Sequence, residues 1–100
     1  GLKDQIRRSS LGVMNNISEG FEQRTVKIFI DYLGRAKGSC GETRSMLYVA
    51  LDCNYISKVQ FEKMYNSCLI ISKKTRKLMS YLENYDSNNR IEETIIKYGN

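Results

Sequence analysis

The residues with the plainest chemical potential are cationic. Lys73, Lys74, Arg76 and Lys77 place four positive charges within five positions, and Arg7, Arg8 and Arg24 add more elsewhere. Such a cluster is either a solvated helix face or a contact for phosphate, whose binding releases condensed counterions. No aromatic-rich base-stacking platform is read beside it. Nucleic-acid contact is therefore expected at the backbone, largely independent of base sequence. The 100-residue chain carries a formal charge of +5, which favours an acidic partner such as RNA or DNA. Arg7, Arg8, Lys73, Lys74, Arg76 and Lys77 are the candidate contacts.

Catalytic chemistry finds little support. The chain has no histidine, and no Walker loop, G-x-G-x-x-G, G-x-S-x-G or H-E-x-x-H motif. No catalytic residue and no cofactor is expected. Cys40, Cys53 and Cys68 are odd in number and widely spaced, which reads as reduced core thiols and not as a metal site. Arg35, Ser39 and Glu42 fall on one helix face at i, i+4 and i+7. In an antiparallel hairpin Glu42 would come near Lys3 and could reach Arg7. That stripe reads as an ion-pair network, with a subunit contact or a catalytic carboxylate as the alternatives. Asn16 and Glu19 share a side of the first helix. A carboxylate at a helix C-terminus opposes the macrodipole, so Glu19 is expected to accept bonds from turn amides or an arginine. The pair reads as structural capping, with ligand binding as the alternative.

Helices must carry these residues. The chain has no proline, and 41% of it is hydrophobic and 27% charged, a globular composition that suits one domain with a single core. Leu2, Ile6, Ser9/Ser10, Val13 and Ile17 make a stripe at helical spacing over residues 2–19. Gly20 reads as a left-handed stop, and Thr25 as the N-cap of the next helix. The second helix is placed at 26–53, with Phe29, Leu33, Ala36, Cys40, Leu47, Ala50 and Asn54 in phase. Residues 37–42, KGSCGE, look like a loop, yet the stripe passes through them without losing phase. Gly38 and Gly41 cost roughly 1 kcal/mol each in a helix interior. A tightly pressed neighbouring helix is the expected compensation. Ser57 with Gln60 forms a capping box that opens a third helix at 58–84, striped by Phe61, Met64, Cys68, Ile71, Thr75, Leu78, Leu82 and Tyr85. Residues 86–89 read as a polar break, with Asn89 capping a short terminal helix that contains Ile91, Ile95 and Tyr98. No apolar run approaches the ~20 residues of a membrane span. No signal peptide is visible, so the chain reads as cytoplasmic with no membrane partner.

The run DQIRRSSLGVMNNISEGF, followed by IFIDYLGRAKGSCGETRSML, resembles the four-helix-bundle proteins encoded in intervening sequences of bacterial 23S ribosomal RNA. The resemblance is carried by Gln5, Arg7, Arg8, Asn16, Glu19, Gly20, Phe29, Leu33, Ala36, Gly38, Ser39 and Glu42. The accessory proteins of diversity-generating retroelements look similar. The resemblance implies an all-α, antiparallel up-down helix bundle that assembles as a ring-like homopentamer. It further implies possible partnership with a reverse transcriptase and nucleic-acid binding through a basic surface. Most members have no established activity. Two departures stand out. The family normally carries a further helix before the Q-x-R-R segment, where this chain begins. The fourth position could then be filled by the terminal helix or a neighbour, or the sequence could be truncated. Gly12 also replaces the usual serine of the first motif. The combined expectation is a non-enzymatic, homo-oligomeric scaffold that binds nucleic acid or a nucleic-acid enzyme. The alternative is a structural or protein-interaction oligomer without nucleic-acid contact.

Overall fold

The computed structural model describes the backbone of residues 1–98 and the side chains of residues 1–89. Helix α1 (Leu2–Phe21) is followed by α2 (Val26–Asp52) and α3 (Lys58–Tyr98). Both ends of α2 and the start of α3 have local causes. Thr25 caps α2 by accepting a bond from the Ile28 amide at 3.3 Å. Asn54 ends it in the left-handed region at φ 59°. The Tyr55 amide then donates back to the Ala50 carbonyl and the Asn54 amide to Leu51, which satisfies two orphaned acceptors. Ser57 and Gln60 open α3 reciprocally. The Gln60 amide donates to Ser57 Oγ at 3.1 Å, and the Ser57 amide donates to Gln60 Oε1 at 2.8 Å.

The two short turns reverse the chain twice and make an up-down bundle. Helix α2 is its centre, burying Leu33, Ala36, Cys40, Thr43, Leu47 and Ala50 along one stripe. Both α1 and α3 pack along α2, and they approach one another only around recesses that they line together. An apolar groove is left between them at one end, where Leu2 and Ile6 of α1 face Met64 of α3 over Leu47 and Ala50. Among the described residues, no helix is long and apolar enough to cross a membrane.

Three sequence expectations need correction. Gly20 lies inside α1 and, among the described residues, no glycine has a positive φ, so it is not a left-handed stop. A Cβ there would sit 2.8 Å from Phe29 Cδ1 and 3.2 Å from Tyr32 Cβ, so the missing side chain serves close approach. Residues 86–89 do not break the third helix, which runs on to Tyr98. Asp, Ser and Asn cost only about 0.7 kcal/mol or less each in a helix, and no glycine or proline adds to them. Asn89 is therefore interior and not a cap, and no separate terminal helix folds back to fill a fourth position. The side chains of Ile91, Ile95 and Tyr98 lie outside the described residues.

The third correction concerns cause, not conformation. Gly38 and Gly41 are helical as expected. Nothing stands within 4 Å of a Cβ built on Gly38, and Gly41 would meet only its own helix's Arg44 at 3.8 Å. Among the described residues, no neighbouring helix presses on them.

Candidate nucleic-acid interface

Successive residues of α3 turn by ~100°, so Lys73 and Lys77 project from the face opposite buried Thr75, and Lys74 stands on the flank beside Lys77. All three are exposed. Arg76 is also exposed, but it lies toward the flank that carries Tyr65. Upstream on the lysine face stand Lys63, Asn66 and Ile70; downstream stand Tyr81, Asn84, Tyr85 and Asn88. Glu83 and Asp86 turn the other way, into a recess with Lys27, Ile30, Asp31 and Ser87. The lysine face from position 63 to position 88 is thus free of carboxylates along its centre.

The arginines of α1 do not join this cluster: where α1 nears α3 it presents Ile6 and Ser10 to a recess shared with Lys63, Met64, Ser67 and Cys68. Arg7 is exposed on the outer side of α1. Arg8 instead lines a polar groove of about 530 Å³ between α1 and α2, together with Gln5, Ser9, Ser39, Glu42 and Ser45.

That groove holds Ser39 and Glu42 of the stripe expected to form an ion-pair network, and the network is absent among the described residues. Glu42 makes no ion pair, and Arg35 lies over the Tyr32 ring with its guanidinium carbon 4.8 Å from the centroid. The hairpin register explains the difference. Ser9 stands against Thr43 and Gly12 against Ser39, so Glu42 is level with Ser9, not with Lys3. The seam is closed by hydroxyls instead. Thr43 Oγ1 donates to Ser9 Oγ at 2.8 Å, and Ser9 Oγ donates to the Ile6 carbonyl at 3.1 Å. Thr43 was not singled out in the sequence, although it falls in phase between Cys40 and Leu47.

Asn16 and Glu19 serve locally. Asn16 Nδ2 donates to the Gly12 carbonyl at 2.8 Å, within its own helix. The Glu19 carboxylate is exposed and takes no hydrogen bond or ion pair; it is the Glu19 carbonyl that accepts, from Gln23 Nε2 at 3.0 Å. Cys40 is buried and Cys68 half-buried, while Cys53 is exposed at the end of α2 and all three are free thiols. Burial pushes the Cys40 and Cys68 thiols up, against a smaller opposing effect of Arg44. Among the described residues, no group of His, Cys, Asp or Glu could hold a metal ion.

Aromatic side chains are more prominent than the sequence suggested. Tyr48, Phe61 and Tyr65 cluster on one flank of the α2–α3 seam, with centroids 5.0–5.5 Å apart. Tyr81 and Tyr85 stack on the lysine face of α3, one turn beyond Lys77. The lysines therefore do have aromatic neighbours, and the i, i+4 spacing of the two tyrosines was the available signal.

These features define an all-helical up-down bundle with a basic, partly aromatic outer helix and no assembled catalytic group among the described residues. The profile of the 23S rRNA-intervening sequence protein family matches residues 1–77, and the chain belongs to that family. It is similar to a protein of unknown function from the S23 ribosomal protein family of Bacteroides thetaiotaomicron, known from a crystal structure. The two share 27% identity over 78% of this chain and 72% of that one, with a TM-score of 0.76. No curated protein matches the sequence.

Proposed function

We propose that this protein is a non-enzymatic, homo-oligomeric scaffold that binds the backbone of RNA or DNA. A pentameric ring, and service to a nucleic-acid enzyme such as a reverse transcriptase, are the forms this would take by family analogy. The observation that carries the reading is the outer face of α3, where Lys73, Lys74 and Lys77 are exposed and no carboxylate stands among them. Repetition of that face around an assembly would multiply a modest charge into a wide basic surface. Phosphate contacts of this kind bind with an affinity that falls linearly with salt on logarithmic axes. Titration of labelled RNA and DNA at rising salt, beside light scattering for subunit count, tests both halves. A steep loss of affinity and a mass of several chains are expected. Binding that ignores salt, or no binding at all, contradicts the nucleic-acid half; a monomer contradicts the assembly half.

A second reading draws on the open groove between α1 and α3. Half-buried Leu2 and Ile6 and exposed Met64 line it, over buried Leu47 and Ala50. It favours a protein-interaction oligomer with no nucleic-acid contact, and the same titration separates the two.

A further inference from the structure

The outer face of α3 carries more than charge. Tyr81 is 64% and Tyr85 49% exposed, so neither ring is held by the core. Their centroids are 6.4 Å apart and their planes differ by 20°, which presents two near-parallel aromatic faces on one side of the helix. Lys77 precedes Tyr81 by four residues and Tyr85 by eight, so cation and ring follow one another along the same face. Asn84 and Asn88 add neutral hydrogen-bonding groups, and the nearby carboxylates Glu83 and Asp86 face α2.

We propose that this face takes unpaired nucleic acid, with bases stacked on Tyr81 and Tyr85 and the backbone on Lys73, Lys74 and Lys77. The proposal rests on the nucleic-acid reading above and deepens it from backbone in general to single strands. The lysines alone would accept a duplex as readily as a strand, because phosphate is common to both. The tyrosines discriminate, since a ring can stack only on a base whose face is free, and a duplex hides those faces. Lys73 to Tyr85 spans about 18 Å of helix at 1.5 Å per residue. That length matches on the order of five nucleotides at the ~3.4 Å rise of stacked bases. Stacking is tolerant of sequence because every base offers a π-face, so length and strandedness are read, not base identity.

The test is a fluorescence-anisotropy titration with three probes of one length: a single-stranded RNA decamer, its duplex, and an abasic decamer with equal phosphates. Wild-type protein is expected to bind the decamer about tenfold more tightly than the abasic strand, a modest value for base stacking on an aromatic ring. Y81A/Y85A is expected to erase that difference while leaving affinity for the abasic strand within about twofold, and binding of the decamer should quench tyrosine fluorescence. Both substituted positions are exposed, so helical content by circular dichroism should be unchanged. The wild-type comparison of based and abasic strands stands without the variant. Equal affinity for those two strands, or tighter binding of the duplex, overturns the proposal and leaves the nucleic-acid reading in place. A variant with altered subunit count and an undiminished base preference also overturns it, assigning the rings to contact between copies. Absence of binding to all three probes removes the underlying reading as well.

Discussion

Gly20 and Gly38 are both helical glycines in this chain, and they occupy opposite circumstances. Gly20 is buried, and a Cβ on it would meet Phe29 Cδ1 at 2.8 Å and Tyr32 Cβ at 3.2 Å. Gly38 is exposed, with nothing within 4 Å. The first glycine lets α1 and α2 approach where they emerge from their turn; the second leaves a bare stretch on the outer side of α2. A missing side chain is therefore no guide to contact until the partner atoms are known. Within this chain the tight seam is α1 against α2, through Gly20 with Phe29, Gly12 with Ser39, and Ser9 with Thr43.

The contrast can be broken by substitution. Gly20→Leu should have the largest effect, because the new side chain must displace the Phe29 ring; overpacking of this kind costs about 1–3 kcal/mol. A Tm lowered by several degrees is expected, and an unchanged or raised Tm would mean the seam is loose. Thr43→Val keeps the shape but removes the hydroxyl that reaches Ser9, with an expected loss of about 1 kcal/mol in chemical denaturation. Addition of Ser9→Ala should then cost less than it does alone, and full additivity would show that the two hydroxyls act separately. Gly38→Ala should raise stability by about 0.5–1 kcal/mol, since alanine is the better helix former and meets no obstacle. A fall in Tm, or a smaller assembly by light scattering, would show that a second copy presses where this chain does not. Glu19→Ala should be the smallest change, within about 0.5 kcal/mol as for ordinary surface positions. A larger loss would reveal a partner for that carboxylate beyond this chain.

The last expectation reverses the sequence reading, and the reason is physical. A carboxylate near a helix C-terminus is unfavourable only while it is close to the dipole and poorly solvated. Exposure of Glu19 lets water do what a partner was expected to do. Much of the fold was legible. The caps at Thr25 and at Ser57 with Gln60 were read from short side chains in the right order, and the α2 stripe predicted burial of Leu33, Ala36, Cys40, Leu47 and Ala50. The hairpin register was not legible. A short turn dictates antiparallel helices, but the axial offset comes from how closely backbones approach at Gly20 and Gly12. That offset moved Glu42 away from Lys3 and Arg7 and emptied the supposed ion-pair network. The polar run at 86–89 suggests a break, yet α3 continues through it, because polarity alone does not end a helix. For the candidate interface, the lysines were legible from composition. The pairing of Tyr81 with Tyr85 is hidden in the sequence because Tyr85 falls at the edge of the apolar stripe, whereas its ring is half exposed and stacks on Tyr81.

The decisive measurement compares the salt dependence of RNA binding for wild-type protein and the K73A/K74A/K77A variant. For single strands the logarithmic slope changes by about 0.7 per phosphate neutralised, so loss of three contacts should flatten it by about 2. That result, with helical content intact, is what a lysine-lined α3 interface requires. An identical slope in the two proteins would place the nucleic acid elsewhere, and a wild-type protein that binds no RNA at any salt would contradict the account outright.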